Sequence, residues 1–261
     1  MKNNLLVFGA GNLGEKVATL WKERFPSEEV FGVTNTTRKH SQLSSKEITP
    51  LCYGEKLPKV SNILFSIPPK DNYSELVEEA FKCWDESGNF LFISSTSIYL
   101  ESNGGVVNEN SKANPEHRLF SVEEMVIDKG GCVLRLAGLY DKHRGPHLYL
   151  KNKMKLSSSK DSLLNLIHTQ DAAELSVKAL ESGSKGTRYL GCDGSPMTKS
   201  EFAKIVLGEQ ANGVEYSSQN SNSKMCNNEW TRKTLNWQPQ WPDFKTWSQD
   251  ILKKTLKQLF M

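Results

Sequence analysis

The chain has 261 residues and no paired cysteines: Cys52, Cys83, Cys132, Cys192 and Cys226 stand singly, with no CxxC spacing. An odd number of scattered thiols argues against a disulfide framework or a cysteine-built zinc site, and points to a reducing, cytoplasmic setting. No apolar run approaches membrane-spanning length. The first strand candidate is about five residues, too short for the apolar stretch of a signal peptide. Blocks of like charge are missing as well: 33 basic and 30 acidic residues leave a net charge of +3. With no basic stripe interleaved with aromatics, nucleic acid is not expected as a partner. His143 and His147 bracket Gly145-Pro146, which prevents a helical metal-binding face, so no metal is expected either. There is no internal repeat and no heptad pattern.

What remains is an ordinary globular composition, 37% hydrophobic and 24% charged, able to bury a sizeable core. Its most telling stretch comes first. The apolar run Asn4-Leu5-Leu6-Val7-Phe8 enters Gly9-Ala10-Gly11-Asn12-Leu13-Gly14, followed by a helix-like segment from Glu15 to Arg24. Strand, glycine turn and helix in that order suit a dinucleotide pyrophosphate. Gly9 permits the tight turn, Gly11 the approach of backbone to phosphate, and Gly14 close helix packing, while helix-start amides meet negative charge.

A second strand, Val30 to Val33, ends about twenty residues after the glycines, where an NAD-preferring site places an acid against the ribose. Here the chain reads Thr34-Asn35-Thr36-Thr37-Arg38-Lys39, with two bases and no acid. Arg38 offers a planar fork of donors to a 2′-phosphate, so the expected cofactor is NADP(H).

Further strands are predicted at Asn62–Ile67, Asn89–Ile93, Cys132–Leu136 and Thr187–Cys192, with helices at Tyr73–Trp84, Glu116–Asp128 and Ala172–Leu180. Thr198-Lys199-Ser200-Glu201 has the form of a capping box before a helix at Phe202–Leu207. Ser217 to Lys224 reads as a loop, and the tryptophans Trp230, Trp237, Trp241 and Trp247 are expected to pack. The fold class is α/β, a Rossmann-type doubly wound parallel sheet over residues 1–193 with a small C-terminal substrate lobe over 194–261. Residues 138–165 are expected to supply part of the substrate pocket.

The order of these landmarks resembles the extended short-chain dehydrogenase/reductases, in particular the atypical members similar to nucleoside-diphosphate-sugar epimerases. The resemblance rests on the glycine turn, Ser66-Ile67-Pro68-Pro69, Ser94 to Tyr99, Leu134 to Tyr140, Asn165 to Ala173, and the tail Leu235 to Pro242. It implies that Gly9, Gly11, Asn12, Leu13 and Gly14 hold pyrophosphate, that Asn35, Thr36, Thr37 and Arg38 hold the adenosine end, and that Ser66, Ile67 and Pro68 line the cofactor's middle. It also implies a small polar or nucleotide-sugar substrate, a homodimer through helices of the main domain, and a catalytic hydroxyl at Ser95.

The family's Tyr-x-x-x-Lys pair, in which the ammonium lowers the phenol pKa from about 10 so that it can exchange a proton near neutrality, is absent. Counting back from Glu124 puts Glu116 at the tyrosine position and Phe120 at the lysine position. Tyr149-Leu150-Lys151-Asn152-Lys153 matches the spacing but follows the Leu134 strand, on the substrate side, and is read as chance. The candidate substitutes are Ser95, His117, Arg118 and Tyr140. Two functions stand at this point: an NADP(H)-dependent oxidoreductase or epimerase-like enzyme, and a non-catalytic NADP(H)-binding sensor or scaffold.

Overall fold

The computed structural model describes residues 3–219 and 223–259. Seven parallel strands form the central sheet: β1 (Leu5–Phe8), β2 (Val30–Thr34), β3 (Thr49–Cys52), β4 (Asn62–Phe65), β5 (Phe90–Ser95), β6 (Cys132–Leu136) and β7 (Arg188–Gly191). Their spatial order is β7-β6-β5-β4-β1-β2-β3, a doubly wound Rossmann-type sheet. β1, β4 and β6 are buried throughout because helices cover both faces, which is why they read as apolar runs interrupted only by Asn62 and Arg135.

The pleat divides those runs between two cores. Leu5 and Val7 of β1 face α1 (Asn12–Arg24) and α6 (Thr169–Ser182), where Val17, Trp21, Ala172 and Leu175 are buried. Leu6 and Phe8 face α3 (Tyr73–Lys82) and α4 (Phe120–Asp128), packing with Val77, Ala80, Val122 and Val126. α1 and α6 are joined by an Arg24–Glu181 ion pair, and Trp21 ties α1 to the chain start by donating to the Asn3 carbonyl at 2.7 Å.

A third cluster, of Tyr140, Leu150, Leu156, Phe202, Phe244 and Trp247, gathers α5 (Pro146–Lys153), α7 (Lys199–Leu207) and α9 (Phe244–Leu259). The Thr198 capping box forms at the start of α7. Leu235 and Trp237 instead reach back into the core beneath α1 and α6. Asp171, 1% exposed, fastens the tail by accepting the amides of Gln240 (2.8 Å) and Trp241 (3.1 Å). His168 caps α6, its ring accepting the Gln170 amide.

Three expectations differ from the structure. The helix expected from Glu116 starts at Phe120, because Asn114 and His117 side chains accept the amides of Glu116 and Leu119 and hold the intervening residues in a turn after Pro115. The loop expected at Ser217–Lys224 contains residues 220–222, outside the described residues. Its end is ordered: Ser223–Cys226 pairs in parallel with Asn103–Val107. Trp230 is 48% exposed, unlike the buried Trp237 and Trp247.

Asp193, 3% exposed, bonds the Ser195 amide through Oδ1 while its Oδ2 has no partner. Burial raises its pKa to about 7. A folded value above the unfolded one means that this group's stabilising contribution is complete below about pH 4 and is lost as pH rises toward 7. Asp193→Asn should therefore stabilise the chain at pH 8 by on the order of 2 kcal/mol and flatten the decline between pH 4 and 7. Urea unfolding at pH 5 and pH 8 measures both; an unchanged pH slope contradicts the assignment.

Candidate cofactor-binding and active site

The chain reverses direction on either side of β1, so a crevice opens beyond the carboxyl ends of β1 and β4, the place where doubly wound sheets take ligands. A cavity of about 700 Å³ fills it. Gly9, at φ +89°, turns the chain out of β1, and a Cβ there would lie 2.9 Å from the Ile67 amide nitrogen. At Gly14 a Cβ would come within 2.3 Å of the Gly9 carbonyl oxygen, so α1 docks on the turn only with glycine. Gly11 is different: a Cβ there would meet nothing nearer than 3.9 Å, so the fold leaves that gap open toward the cavity.

The first α1 hydrogen bond runs from the Glu15 amide to the Gly11 carbonyl, leaving the amides before it without an intrahelical acceptor. Asn12 Oδ1 is buried without a hydrogen-bond partner beside them. Ser66 locks the turn by donating to the carbonyls of Phe8 (3.2 Å) and Gly9 (3.0 Å), and Tyr73 holds the Ile67 carbonyl at 2.7 Å. Open amides and a gap at Gly11 fit a pyrophosphate-bearing ligand.

Gly9, Gly11, Asn12, Leu13, Gly14, Asn35, Thr36, Arg38, Ser66, Ile67 and Pro68 line this cavity; Thr37 does not. Thr37 opens a 3-10 turn (Thr37–Lys39) that carries its side chain outward. Lys39, expected as a second base for phosphate, also lines the cavity, but its ammonium group is paired with Glu15. Glu15 accepts Lys39 (3.2 Å), Lys46 (2.7 Å) and Gln42 (2.5 Å). Burial opposes ionisation of Glu15, but the two ammonium groups outweigh it and hold the carboxyl below its usual range. Arg38 has no ion pair among the described residues. Arg118 and Arg144 likewise line the cavity unpaired, and no acidic residue does.

At the far end Ser95 and Ser97 face the cavity. Ser95 Oγ accepts the Ser97 amide (3.2 Å) and hydroxyl (3.0 Å), and Ser97 Oγ meets His117 Nε2 at 3.1 Å. The His117 Nδ1 accepts the Leu119 amide at 3.3 Å, which assigns the ring proton to Nε2. Burial, then Arg118 and Lys224, lower the His117 pKa against the opposing pull of Glu123, so the imidazole is neutral near pH 7. The structure thus joins Ser95 to His117 through Ser97, a residue the sequence reading passed over. An Ser-x-Ser spacing carries no such signal until a turn brings His117 over it.

Tyr140 is not part of this arrangement. It is fully buried in the third cluster, in edge contact with Phe244 and Trp247, and burial drives its phenol pKa far up. Tyr149 stands on the exposed side of α5. Leu119, Val122, Glu123 and Val126 form the buried face of α4, so the inward acid is Glu123, and Glu124 lies outside it. Counting from Glu123 puts Pro115 and Leu119 at the tyrosine and lysine positions; Leu119 lines the cavity, whereas Phe120 does not. Neither register contains a tyrosine or a lysine.

Glu123 accepts Arg135 Nε (3.1 Å) and Nη2 (2.6 Å) in the interior, and also the Ser94 hydroxyl at the cavity. Arg135 in turn lies 4.8 Å over the Tyr99 ring.

No family model and no curated protein sequence matches this chain. Solved structures do. A functionally unknown conserved protein from Silicibacter pomeroyi superposes with a TM-score of 0.78 at 17% identity, covering 97% of this chain and 99% of that one. The dTDP-glucose 4,6-dehydratase of Bacillus anthracis, in complex with NAD, gives 0.73 at 14% identity over 91% and 92%. The human epimerase family protein SDR39U1, with NADPH, gives 0.68 at 14% over 96% and 99%. The fold is therefore the one these epimerase and dehydratase structures share. At such identities the chemistry has to be argued from the residues themselves.

Glu123→Gln leaves the Arg135 guanidinium buried without its counter-charge, and should lower the unfolding free energy by about 3–5 kcal/mol. Denaturant unfolding tests this, and a loss below about 1 kcal/mol contradicts the role given to the pair.

Proposed function

We propose that the chain is an NADP(H)-dependent oxidoreductase or epimerase-like enzyme for a small polar substrate of the nucleotide-sugar kind, using a serine–histidine relay where its fold relatives' resemblance leads one to expect tyrosine and lysine. The observation that carries this reading is the Ser95–Ser97–His117 chain opening into an acid-free cavity whose other end is the glycine turn. The pyrophosphate is held by the amides ahead of Glu15, and the 2′-phosphate by Arg38, the free cation at the adenosine end. Five unpaired cysteines support a cytoplasmic location.

When bound, the cofactor supplies or removes a hydride at its nicotinamide ring. The protein's part is the proton. Ser95 Oγ accepts two hydrogen bonds from Ser97, so its own proton is free to enter the cavity. As a substrate carbonyl oxygen gains charge, Ser95 protonates it, Ser97 reprotonates Ser95, and the His117 Nε2 proton passes to Ser97. His117 Nδ1 takes a proton from solvent, releasing the Leu119 amide, and the balance closes. In the oxidising direction each transfer reverses. Arg118 adds fixed positive charge beside the oxyanion.

Two measurements test the reading. Arg38→Ala should weaken NADPH binding by about tenfold or more and leave NADH binding within about twofold; equal losses in calorimetry remove Arg38 from the 2′-phosphate. For turnover with a panel of nucleotide sugars, Ser95→Ala and His117→Gln should each lower kcat by on the order of a hundred- to ten-thousand-fold. In ¹⁵N NMR, His117 should titrate below 6.5 with its neutral proton on Nε2; a proton on Nδ1 reverses the relay and overturns it.

A further inference from the structure

The turn that carries Ser97 is weakly closed from within. It is a single 3-10 turn, Thr96–Ile98, and its closing bond, from the Tyr99 amide to the Thr96 carbonyl, is 3.4 Å long. Support comes from outside. The Asn114 amide meets the Ile98 carbonyl at 2.7 Å. From much further along the chain, Lys224 Nζ donates to the Tyr99 carbonyl at 3.0 Å and to the Thr96 carbonyl at 3.4 Å, so one ammonium group spans both ends of the turn. It also lies 6.0 Å over the Tyr99 ring.

Lys224 is itself held in place. The register of Ser223–Cys226 against Asn103–Val107 shifts between Ser223 and Met225, an irregularity of the kind that re-aims a side chain. Asn165 fixes this strand by its backbone: Nδ2 donates to the Lys224 carbonyl at 2.8 Å, and Oδ1 accepts the Cys226 amide at 2.9 Å. Lys224 is partly buried and makes no ion pair among the described residues, so the two turn carbonyls are its acceptors in place of a carboxylate.

We propose that Lys224 is the positioning residue of the Ser95–Ser97–His117 relay, clamping the turn from the C-terminal segment so that Ser97 stays between Ser95 Oγ and His117 Nε2. Lys224 does not line the cofactor cavity, so it acts through Ser97 and not on substrate. The consequence for turnover rests on the relay proposed above; the clamp on the turn does not. Lys224 also brings charge to His117: together with Arg118, and against Glu123, it disfavours the imidazolium.

Lys224→Met, which keeps the apolar stem and removes the ammonium group, tests this in the full chain, with Lys224→Arg as the variant that keeps charge and donors. In amide hydrogen exchange read by NMR, Ser97 and Tyr99 should exchange about tenfold faster in Lys224→Met, while Leu91 and Phe92 of β5 keep their rates. The titration midpoint of His117 should rise in Lys224→Met and stay in place in Lys224→Arg. With a nucleotide-sugar substrate, kcat of Lys224→Met should fall by about tenfold or more at unchanged KM, and Lys224→Arg should restore most of it. Unchanged exchange at Ser97 and Tyr99, or faster exchange that spreads equally to Leu91 and Phe92, would overturn the clamp. A loss carried by KM with kcat intact, or a Lys224→Arg variant as impaired as Lys224→Met, would overturn the positioning role. Turnover undisturbed by Ser95→Ala and His117→Gln removes the relay itself, and is told apart by exchange rates that still respond to Lys224.

Discussion

The amides at the mouth of α1 that no carbonyl of the helix can accept are the constraint around which this molecule is arranged. A helix leaves such groups at its start wherever it begins, and most proteins cap them with a side chain. Here the residue before the helix is Gly11, with no side chain to offer. Gly9 turns the backbone so that these donors face the crevice, Gly14 lets the helix lie against the turn, and Ser66 fixes the turn from the neighbouring strand. The apolar strands on either side can be buried only if this junction is made tightly.

Charge is then distributed to keep the crevice positive. Glu15 is the acid nearest the turn, and it is held away by Lys39, Gln42 and Lys46, so it does not compete with an anion there. Glu123 is buried outright, and its charge is consumed by Arg135. The unpaired cations on the cavity are Arg38 at one end and Arg118 with Arg144 among its other walls, Lys39 lining it as well but paired with Glu15, and among the described residues no carboxylate lines it. All three arginines are exposed, so their attraction for an anion acts through water and weakens with added salt.

The first βαβ unit was legible in the sequence because its signals are local: four buried residues in a row, glycines at the turn, and helical spacing after it. The strands ending at Phe65 and Ser95 were legible for the same reason. Most of what escaped depends on residues far apart in the chain, and one miss on a local competition between side chains and helix. Lys39 is lost to Glu15, 24 positions earlier, and nothing near Lys39 announces that. The choice of Glu123 over Glu124 as the inward acid is made by Arg135 on a strand not yet formed when α4 is read alone. The start of α4 was moved by two side chains that cap a turn, Asn114 and His117, in competition with the helix. Tyr140 followed a motif into the substrate loop, yet the aromatic tail buries it.

Gly11 offers the most direct measurement. An added methyl group there would meet nothing nearer than the Gly9 carbonyl oxygen at 3.9 Å, an ordinary contact, and would project into the space proposed for the phosphate. Gly11→Ala should therefore unfold at the same urea midpoint as the unaltered protein while its calorimetric affinity for NADPH falls by about tenfold or more. Undiminished NADPH affinity in the variant, or no uptake of either nicotinamide dinucleotide by the folded parent, would contradict the account at its base.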